Sequence, residues 1–449
     1  MEINKALNSD SFPSTVDKLN FVDHISKFLG LAVSQLYLLC ALITCYEVIS
    51  RYVFDAPTQW AFETVMVLCA SAWMLSAGYI TLHKRHIGIT VIYIMVDKAK
   101  QWYLDLFAYV IGVVALWMFV DDTLVRAIES VMMVERAGSA WNSPQPLILK
   151  TMLVTGATVY LTQLLVNLYR HFDSKVAKNI ISGVAAFIIF RIILVFFEHA
   201  FELKGVIAIN EHLSSIAAYL EPTKYVDIRD IGIKWASILI VGLMIALMTT
   251  GMPLGIVTLF VSILSALFYF GFNGLYLVST NAFGLLEAYP LIAVPLFVLM
   301  ASILEKAGVA EDLFDAMQIF AGKLRGGVAI QTIVVAVILA AMSGVMGGEI
   351  VMLGLVALPQ MMRLGYNRKL AIGVVCASGA LATLIPPSII MIVYGLSANV
   401  AIGDLFMAGA VPGLMLATFY AIFTLIRCYI NPSLAPNAEE VAAARGKEM

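Results

Sequence analysis

The stretch Ser343-Gly344-Val345-Met346-Gly347-Gly348-Glu349 lies in the middle of an apolar segment, residues 327–362, where a membrane helix would be continuous. A second apolar segment, residues 370–394, is interrupted in the same way by Ile385-Pro386-Pro387-Ser388. A backbone that leaves the helix inside a bilayer is tolerated only where protein or a water-filled cavity satisfies its polar groups. Secondary transporters place substrate and ions at such broken helices. The two interruptions therefore predict a transporter rather than a membrane anchor.

The composition places most of the chain in lipid. Of its 449 residues, 61% are hydrophobic and only 13% are charged, whereas soluble domains contain about 25% charged residues. The net charge of -2 argues against a nucleic-acid partner, because proteins that bind nucleic acid carry basic surfaces. The five cysteines lie in or beside apolar runs without metal-ligand spacing, so neither a metal centre nor a disulfide framework is predicted.

The apolar segments predict an all-α integral membrane protein. A helix of about 20 apolar residues crosses a bilayer, and about ten spans are predicted, including a re-entrant hairpin and a broken helix. The uninterrupted spans are predicted at residues 28–46, 61–82, 106–120, 146–168, 180–197, 233–248, 253–270, 291–304 and 408–427.

Loop charges predict the orientation, because Lys and Arg concentrate in short cytoplasmic loops. Lys84 and Arg85 follow the second span, and further basic residues follow the fourth. The loops 121–145 and 198–230 instead carry more Asp and Glu than Lys and Arg. We therefore expect a multi-pass protein with a cytoplasmic N-terminus.

The segment 327–362 is predicted to enter and leave the membrane on the same side. Its limbs, residues 327–341 and 350–362, are each shorter than the roughly 20 residues needed to span the bilayer. Both ends are flanked by the basic residues Lys323, Arg325, Arg363, Arg368 and Lys369. Two short limbs around a glycine-rich tip predict a re-entrant hairpin, since glycine permits tight turning.

The proline break predicts a site for a hard cation. Pro386 and Pro387 remove two N–H donors and force the preceding residues out of the helical region, so the carbonyls of residues 382–385 lose their partners. Such carbonyls at the end of a half-helix suit sodium, and Ser343 and Ser388 add hydroxyl oxygens. A proline kink without an ion remains the alternative.

Two charged residues at membrane depth have both a functional and a structural interpretation. Glu349 is a functional candidate by its depth, but a carboxylate in the first turn of the following helix also stabilises the helix dipole. Arg191, in the fifth span with Glu198 seven residues further on, is expected to face a neighbouring helix or to extend towards the interface.

Several motifs resemble the tripartite ATP-independent periplasmic (TRAP) transporters, with the small and large membrane subunits fused in one chain. The part similar to the small subunit carries Ile49-Ser50-Arg51-Tyr52-Val53-Phe54, Trp60, Glu63 and Ser143-Pro144-Gln145-Pro146. The part similar to the large subunit carries Gly322-Lys323-Leu324-Arg325-Gly326-Gly327, Arg363-Leu364-Gly365-Tyr366, Ile385-Pro386-Pro387-Ser388 and Ile402-Gly403-Asp404-Leu405-Phe406.

The resemblance implies sodium-coupled import of an organic acid, such as a C4-dicarboxylate, across the bacterial inner membrane. A periplasmic binding protein would deliver the substrate, and an elevator-type transport domain would slide against a fixed scaffold. No cofactor is implied beyond sodium as the coupling ion. The implied sodium site consists of Ser343, Gly344, Ala382, Ile385 and Pro387. Candidates for the substrate-proximal tip and break are Gly347, Gly348, Glu349, Pro386 and Ser388.

The resemblance also predicts the domain organisation. Residues 1–172 are expected to form a small-subunit-like four-helix domain, and residues 173–230 a connecting helix and periplasmic loop. Residues 231–430 resemble the first half of a large subunit, and residues 431–449 form a polar cytoplasmic tail. The second hairpin and broken helix of the family have no counterpart here, so a second polypeptide is a possible partner.

The chain departs from the family at two positions in or beside the implied sodium site. Val345 replaces a common serine of the tip, and Ala382 replaces a common glycine. Three functions are weighed on these grounds. The first is the membrane component of a sodium symporter; the second is a non-transporting scaffold or fragment that needs a second polypeptide. The third, an intramembrane enzyme, is disfavoured, because no paired catalytic groups occur within the spans.

Overall fold

The computed structural model describes residues 20–201, 228–321 and 324–436. These residues form sixteen α-helices and several short 3-10 turns, and they contain no strand, only an isolated β-bridge between Gly88 and Pro253. The predicted all-α membrane architecture is confirmed, since the described residues contain eight helical segments that are long and apolar enough to cross a bilayer. The predictions for the N-terminus, for most of the 198–230 loop, for Lys323 and for the tail after residue 436 lie outside the described residues.

The chain divides into two compact units, Met1–Glu287 and Ala288–Met449. The first unit thus contains the small-subunit-like part, the predicted connecting segment 173–230, and residues 231–287, which the resemblance assigns to the large subunit. The predicted boundaries at residues 172 and 230 come from the resemblance to the family. The division at residue 287 instead reflects which helices pack together.

The first unit is built from long apolar helices. Its helices are α1 (Phe21–Val53), α2 (Ala61–Leu82), α3 (Val91–Met95), α4 (Lys98–Met132), α5 (Gln145–His171), α6 (Lys175–Phe201), α7 (Ile233–Thr249), α8 (Leu254–Phe270) and α9 (Leu275–Leu286). The bounds of α2 agree with the prediction, and several others extend beyond the predicted apolar cores. α9 has no counterpart among the predicted spans, because Gly271, with a φ of 67°, ends α8 and a 3-10 turn separates the two helices.

Close packing of α4, α5 and α8 forms the core of the first unit. Leu149, Leu161, Ile256 and Ile263 are almost completely buried there. Because lipid is as apolar as these side chains, their association depends on van der Waals packing rather than on exclusion of water. Arg191 pairs with Asp121 of α4, with Nε and Oδ1 3.3 Å apart. This confirms that Arg191 faces a neighbouring helix.

The second unit contains the two interrupted segments. Its helices are α10 (Ala293–Lys306), α11 (Val309–Ala321), α12 (Gly327–Ser343), α13 (Met346–Arg363), α14 (Arg368–Gly379), α15 (Ile389–Ala398) and α16 (Ile402–Ile430). α12 and α13 have 17 and 18 residues, so each is about 26 Å long and shorter than the membrane core of roughly 30 Å. These lengths are those expected of a hairpin with two short limbs.

Candidate functional site

The hairpin tip is tighter than the sequence predicts. Only Gly344 and Val345 separate α12 from α13, whereas the predicted tip extends over residues 342–349. Gly344 adopts the left-handed conformation at a φ of 63°, and Val345 is extended. The predicted limb ends are therefore wrong: Gly347, Gly348 and Glu349 belong to the first turn of α13. A single left-handed glycine is sufficient to reverse the chain at this point.

Glu349 and Ser343 are joined across this tip. Both side chains are buried, Glu349 to 1% exposure, and the Ser343 hydroxyl donates a hydrogen bond to Glu349 Oε1. Glu349 Oε2 is buried without a hydrogen-bond partner among the described residues. A buried carboxylate is costly unless a charge or hydrogen bonds compensate it. The tip therefore presents a buried carboxyl oxygen that is without a hydrogen-bond partner among the described residues.

The second break begins earlier than the prolines. α14 ends at Gly379, and Ala380–Thr383 continues as a 3-10 turn before the chain reaches Pro386 and Pro387, which are joined by a cis peptide bond. In the described part of the chain, no backbone N–H donates to the carbonyls of residues 384–387. The Ser388 hydroxyl donates to the Thr383 carbonyl over 2.9 Å and bridges the break.

The tip and the break lie against each other. A Cβ at Gly344 would overlap the Pro387 carbonyl oxygen, and a Cβ at Gly379 would lie 3.1 Å from Ile350 Cα. Only glycine at both positions allows so close an approach of two backbones. The structure thus brings together Ser343, Gly344 and Pro387 of the predicted site.

The remaining candidates have more indirect roles. Ala382 and Ile385 are buried, and Ile385 packs against Gly413 of α16, so Ile385 offers the site its backbone carbonyl rather than its side chain. Side chains placed at Gly347 would meet nothing within 4 Å. Space is therefore present beside the first turn of α13, whereas close packing accounts for Gly344.

The arrangement is chemically suited to a hard cation. The Ser343 hydroxyl and the Glu349 carboxyl group lie at the tip, and the Pro387 carbonyl lies against it. Unwound carbonyls beside half-helices hold sodium in transporters. No Lys or Arg of the described residues pairs with Glu349, so no side-chain cation occupies this position. The oxygen atoms present therefore fit sodium as ligands.

Gly379 and the link between Glu349 and Ser343 were not predicted. The signal for Gly379 is weak, because glycine is frequent in membrane helices in general and at ordinary helix–helix interfaces. The Glu349–Ser343 pair was obscured because the prediction left both residues in an unwound tip. With a two-residue turn, residues 343 and 349 lie on adjoining helix ends.

The small-subunit-like signature residues stabilise one end of the first unit. Arg51 pairs with Glu47 at 2.6 Å, and Trp60 stacks on Tyr46 with ring centroids 6.1 Å apart. Glu63 is buried and accepts a hydrogen bond from the Ser143 hydroxyl. Two separate pieces of the motif are thus in contact, and their role in the structure is to join α2 to the loop before α5.

Comparisons with known proteins find two family matches in one chain. The sequence model for the DctM component of the tripartite ATP-independent periplasmic transporter matches residues 241–447. The model for the DctQ component of these transporters matches residues 40–174. The two matches fall on the parts that resemble the large and the small subunit.

Curated relatives are permease proteins of TRAP transporters. The chain is 35% identical over 203 residues to the C4-dicarboxylate TRAP transporter large permease of Rhodobacter capsulatus, covering 42% of this chain and 46% of that protein. It is 35% identical over 196 residues to the ectoine large permease of Halomonas elongata, covering 43% and 45%. It is 35% identical over 138 residues to the isethionate permease of Oleidesulfovibrio alaskensis, covering 31% and 22%. The chain thus spans less than half the length of these relatives.

Proposed function

Because the chain belongs to the family of tripartite ATP-independent periplasmic transporters, we propose that it is the membrane component of a sodium symporter for an organic acid. In this proposal a periplasmic binding protein delivers the substrate, and the chain lies in the bacterial inner membrane with its N-terminus in the cytoplasm. The family consists of transporter permeases, and the chain is not an enzyme.

The observation that carries the proposal is the contact between the hairpin tip and the proline break. Gly344 lies against the Pro387 carbonyl, and the carbonyls of residues 384–387 have no backbone donor among the described residues. The alternative, a proline kink without an ion, would not require the hairpin tip to lie against the kink. The paired breaks therefore support an ion site at this position.

The Glu349 carboxylate supplies a physical reason for coupling. Both α13 and α15 begin beside the site, and the N–H groups of helix N-termini bind anions. An anionic substrate placed there would be repelled by the buried negative charge of Glu349. A sodium ion bound at Glu349 and Ser343 would cancel this repulsion, so the substrate would bind well only together with sodium.

The substrate class rests on the relatives. Their printed substrates are C4-dicarboxylates, ectoine and isethionate, and each carries a carboxylate or a sulfonate. We propose that this chain transports an organic acid of this general kind. Movement of the hairpin and broken helix as one elevator-type body is part of the same proposal.

A second candidate is a scaffold that transports only when another polypeptide completes the transport domain. The observation that favours it is the match itself, which covers less than half the length of each curated relative. Both candidates share the same ion site, and they differ in whether the purified chain is sufficient for uptake.

The test is uptake into proteoliposomes that contain the chain and everything that co-purifies with it. Radiolabelled C4-dicarboxylate, ectoine and isethionate would be offered with the cognate binding protein, under a sodium gradient or a matched choline gradient. We expect uptake of one of them to require sodium. Pro386→Ala combined with Pro387→Ala should abolish that requirement or the uptake itself, whereas Pro359→Ala, a proline within α13, should retain both. Unchanged sodium dependence in the double variant would refute the ion site.

A further inference from the structure

A groove with a cationic rim lies in the second unit, between the start of α14 and the end of α16. It has a volume of about 470 Å³. Lys369 and Arg427 line its mouth, and Ser378 lies among the residues at its other end. Residues 369 and 378 are nine positions apart on α14, so the groove extends roughly 14 Å along that helix.

The walls of the groove are apolar. Leu370 and Val374 line it from α14, and Tyr420 and Phe423 line it from α16. Phe423 is 61% exposed, as expected of a side chain that meets lipid. The groove therefore joins a charged mouth to an apolar interior, which is the polarity of a phospholipid.

The two cations at the mouth have no partner among the described residues. Neither the Lys369 nor the Arg427 side chain has an ion pair or hydrogen bond within residues 20–201, 228–321 and 324–436. No acidic residue of the described part of the chain lines the groove. Among these residues the mouth thus carries two positive charges and no negative charge.

The positive charge of Lys369 lies at the N-terminus of α14, where it opposes the helix dipole. Arg368 and Lys369 occupy the first turn of α14, which has no acidic residue, although helix N-termini favour negative charge. An anion bound there would be attracted by the lysine and by the helix dipole together. Arg427, in the last turn of α16, adds a second cation to the same mouth.

The backbone keeps the two charged helix ends together. The Asn367 N–H donates to the Leu434 carbonyl over 3.0 Å, which ties the residue before α14 to the segment after α16. Arg325 Nε also donates to the Ala435 carbonyl over 3.3 Å. Lys369 and Arg427 are therefore held on one groove by the fold.

We propose that this groove binds an anionic phospholipid, with the phosphate at Lys369 and Arg427 and an acyl chain along the apolar walls. Basic pockets between membrane helices bind anionic headgroups in this way. Because α14 is the first half of the broken helix, and its far end at Gly379 lies against Ile350, the lipid would stabilise the segment that supports the hairpin.

The test compares the purified chain in nanodiscs of phosphatidylglycerol and of phosphatidylcholine, with native mass spectrometry to count retained lipid. We expect phosphatidylglycerol to raise the unfolding temperature and to remain bound. Lys369→Gln combined with Arg427→Gln should weaken its binding about fivefold for each cation and about thirtyfold together. The charge-retaining variant Lys369→Arg with Arg427→Lys should bind phosphatidylglycerol nearly as tightly as the original chain does. This variant tests the proposal if the neutral variant fails to fold.

The matched control is Lys306→Gln combined with Arg363→Gln, which removes the same charge from exposed positions outside the groove. An equal loss in this control would show a general surface effect and overturn the proposal. Inorganic phosphate in phosphatidylcholine nanodiscs forms the last arm. If phosphate alone produces the full stabilisation, the site binds a free anion rather than a lipid.

Discussion

At the scale of single residues, Glu349 is the least expected group in the protein. Its depth predicts function and its place in the first turn of α13 predicts helix capping, and the structure is compatible with both. What distinguishes them is Oε2, which is buried and has no partner among the described residues. Capping alone requires no second, uncompensated oxygen.

We predict that Glu349→Gln weakens sodium binding by tenfold or more, that is by at least about 1.4 kcal/mol. Glutamine keeps an oxygen to accept the hydrogen bond from Ser343 but removes the negative charge. The measurement is the shift in unfolding temperature of the purified chain when sodium chloride replaces choline chloride. Glu305→Gln, which neutralises an exposed carboxylate in the last turn of α10, should leave that shift unchanged.

The opposite outcome has an equally definite meaning. If Glu349→Gln retains the full sodium effect and loses only about 0.3–1 kcal/mol of stability, the carboxylate acts on the helix dipole alone. The coupling argument built on its charge would then fail, while the carbonyls of the proline break would remain as the candidate ion ligands.

At the scale of elements, the turn between α12 and α13 determines whether the hairpin can meet the broken helix. Gly344 serves two requirements at once: a left-handed backbone and space for the Pro387 carbonyl. Gly347, three residues later, serves neither. The two glycines look equivalent in the sequence and differ only in their surroundings.

Gly344→Ala is therefore expected to destabilise the second unit by more than about 2 kcal/mol. The left-handed conformation alone costs an alanine roughly 1–2 kcal/mol, and the overlap with Pro387 adds to it. Gly347→Ala should be neutral or should stabilise α13 by up to about 1 kcal/mol. Thermal unfolding with and without sodium measures both, and the sodium effect should disappear only in Gly344→Ala. Similar behaviour of the two variants would show that the contact between tip and break is not essential.

Patterns of glycine and proline were sufficient to predict the existence of these elements. Pro386 and Pro387 must break a helix, and the short limbs around Gly344 can only form a hairpin in lipid. The length of the tip was not predictable, because the sequence does not indicate which of three glycines adopts a positive φ. α9 was missed for a related reason. Gly271 ends α8, and a short 3-10 turn follows before α9 begins.

Contacts between distant segments were beyond the reach of sequence patterns. Arg191 was expected to face a helix, but Asp121 as its partner depends on how α4 and α6 pack. The motif residues Glu63 and Ser143 are eighty residues apart in the chain and meet only in the fold. Local propensity determines helices, whereas long-range pairing is decided by packing.

At the scale of the whole molecule, the first unit combines the small-subunit-like helices with the beginning of the large-subunit-like part. The Ser279 hydroxyl of α9 donates to Asp122 of α4, and the Arg126 guanidinium lies 3.9 Å from the centre of the Tyr276 ring. Polar contacts of this kind are scarce in membranes and help to hold helices together. They hold α9 of the large-subunit-like part against α4 of the small-subunit-like part.

The last prediction concerns what completes the transporter. The curated relatives are more than twice as long as their matched region, and the proposed ion site uses one hairpin and one broken helix. We expect gentle purification from the native membrane to yield this chain with a second polypeptide, or within a longer one, that supplies another such pair. Intact-mass measurement decides this, since the chain alone has a mass of 48.9 kDa.

A lone 48.9 kDa chain that still takes up substrate with sodium would contradict the prediction. It would mean that one hairpin against one broken helix is sufficient for coupled transport. A lone chain without uptake would favour the scaffold, because the ion site could then persist without a substrate path.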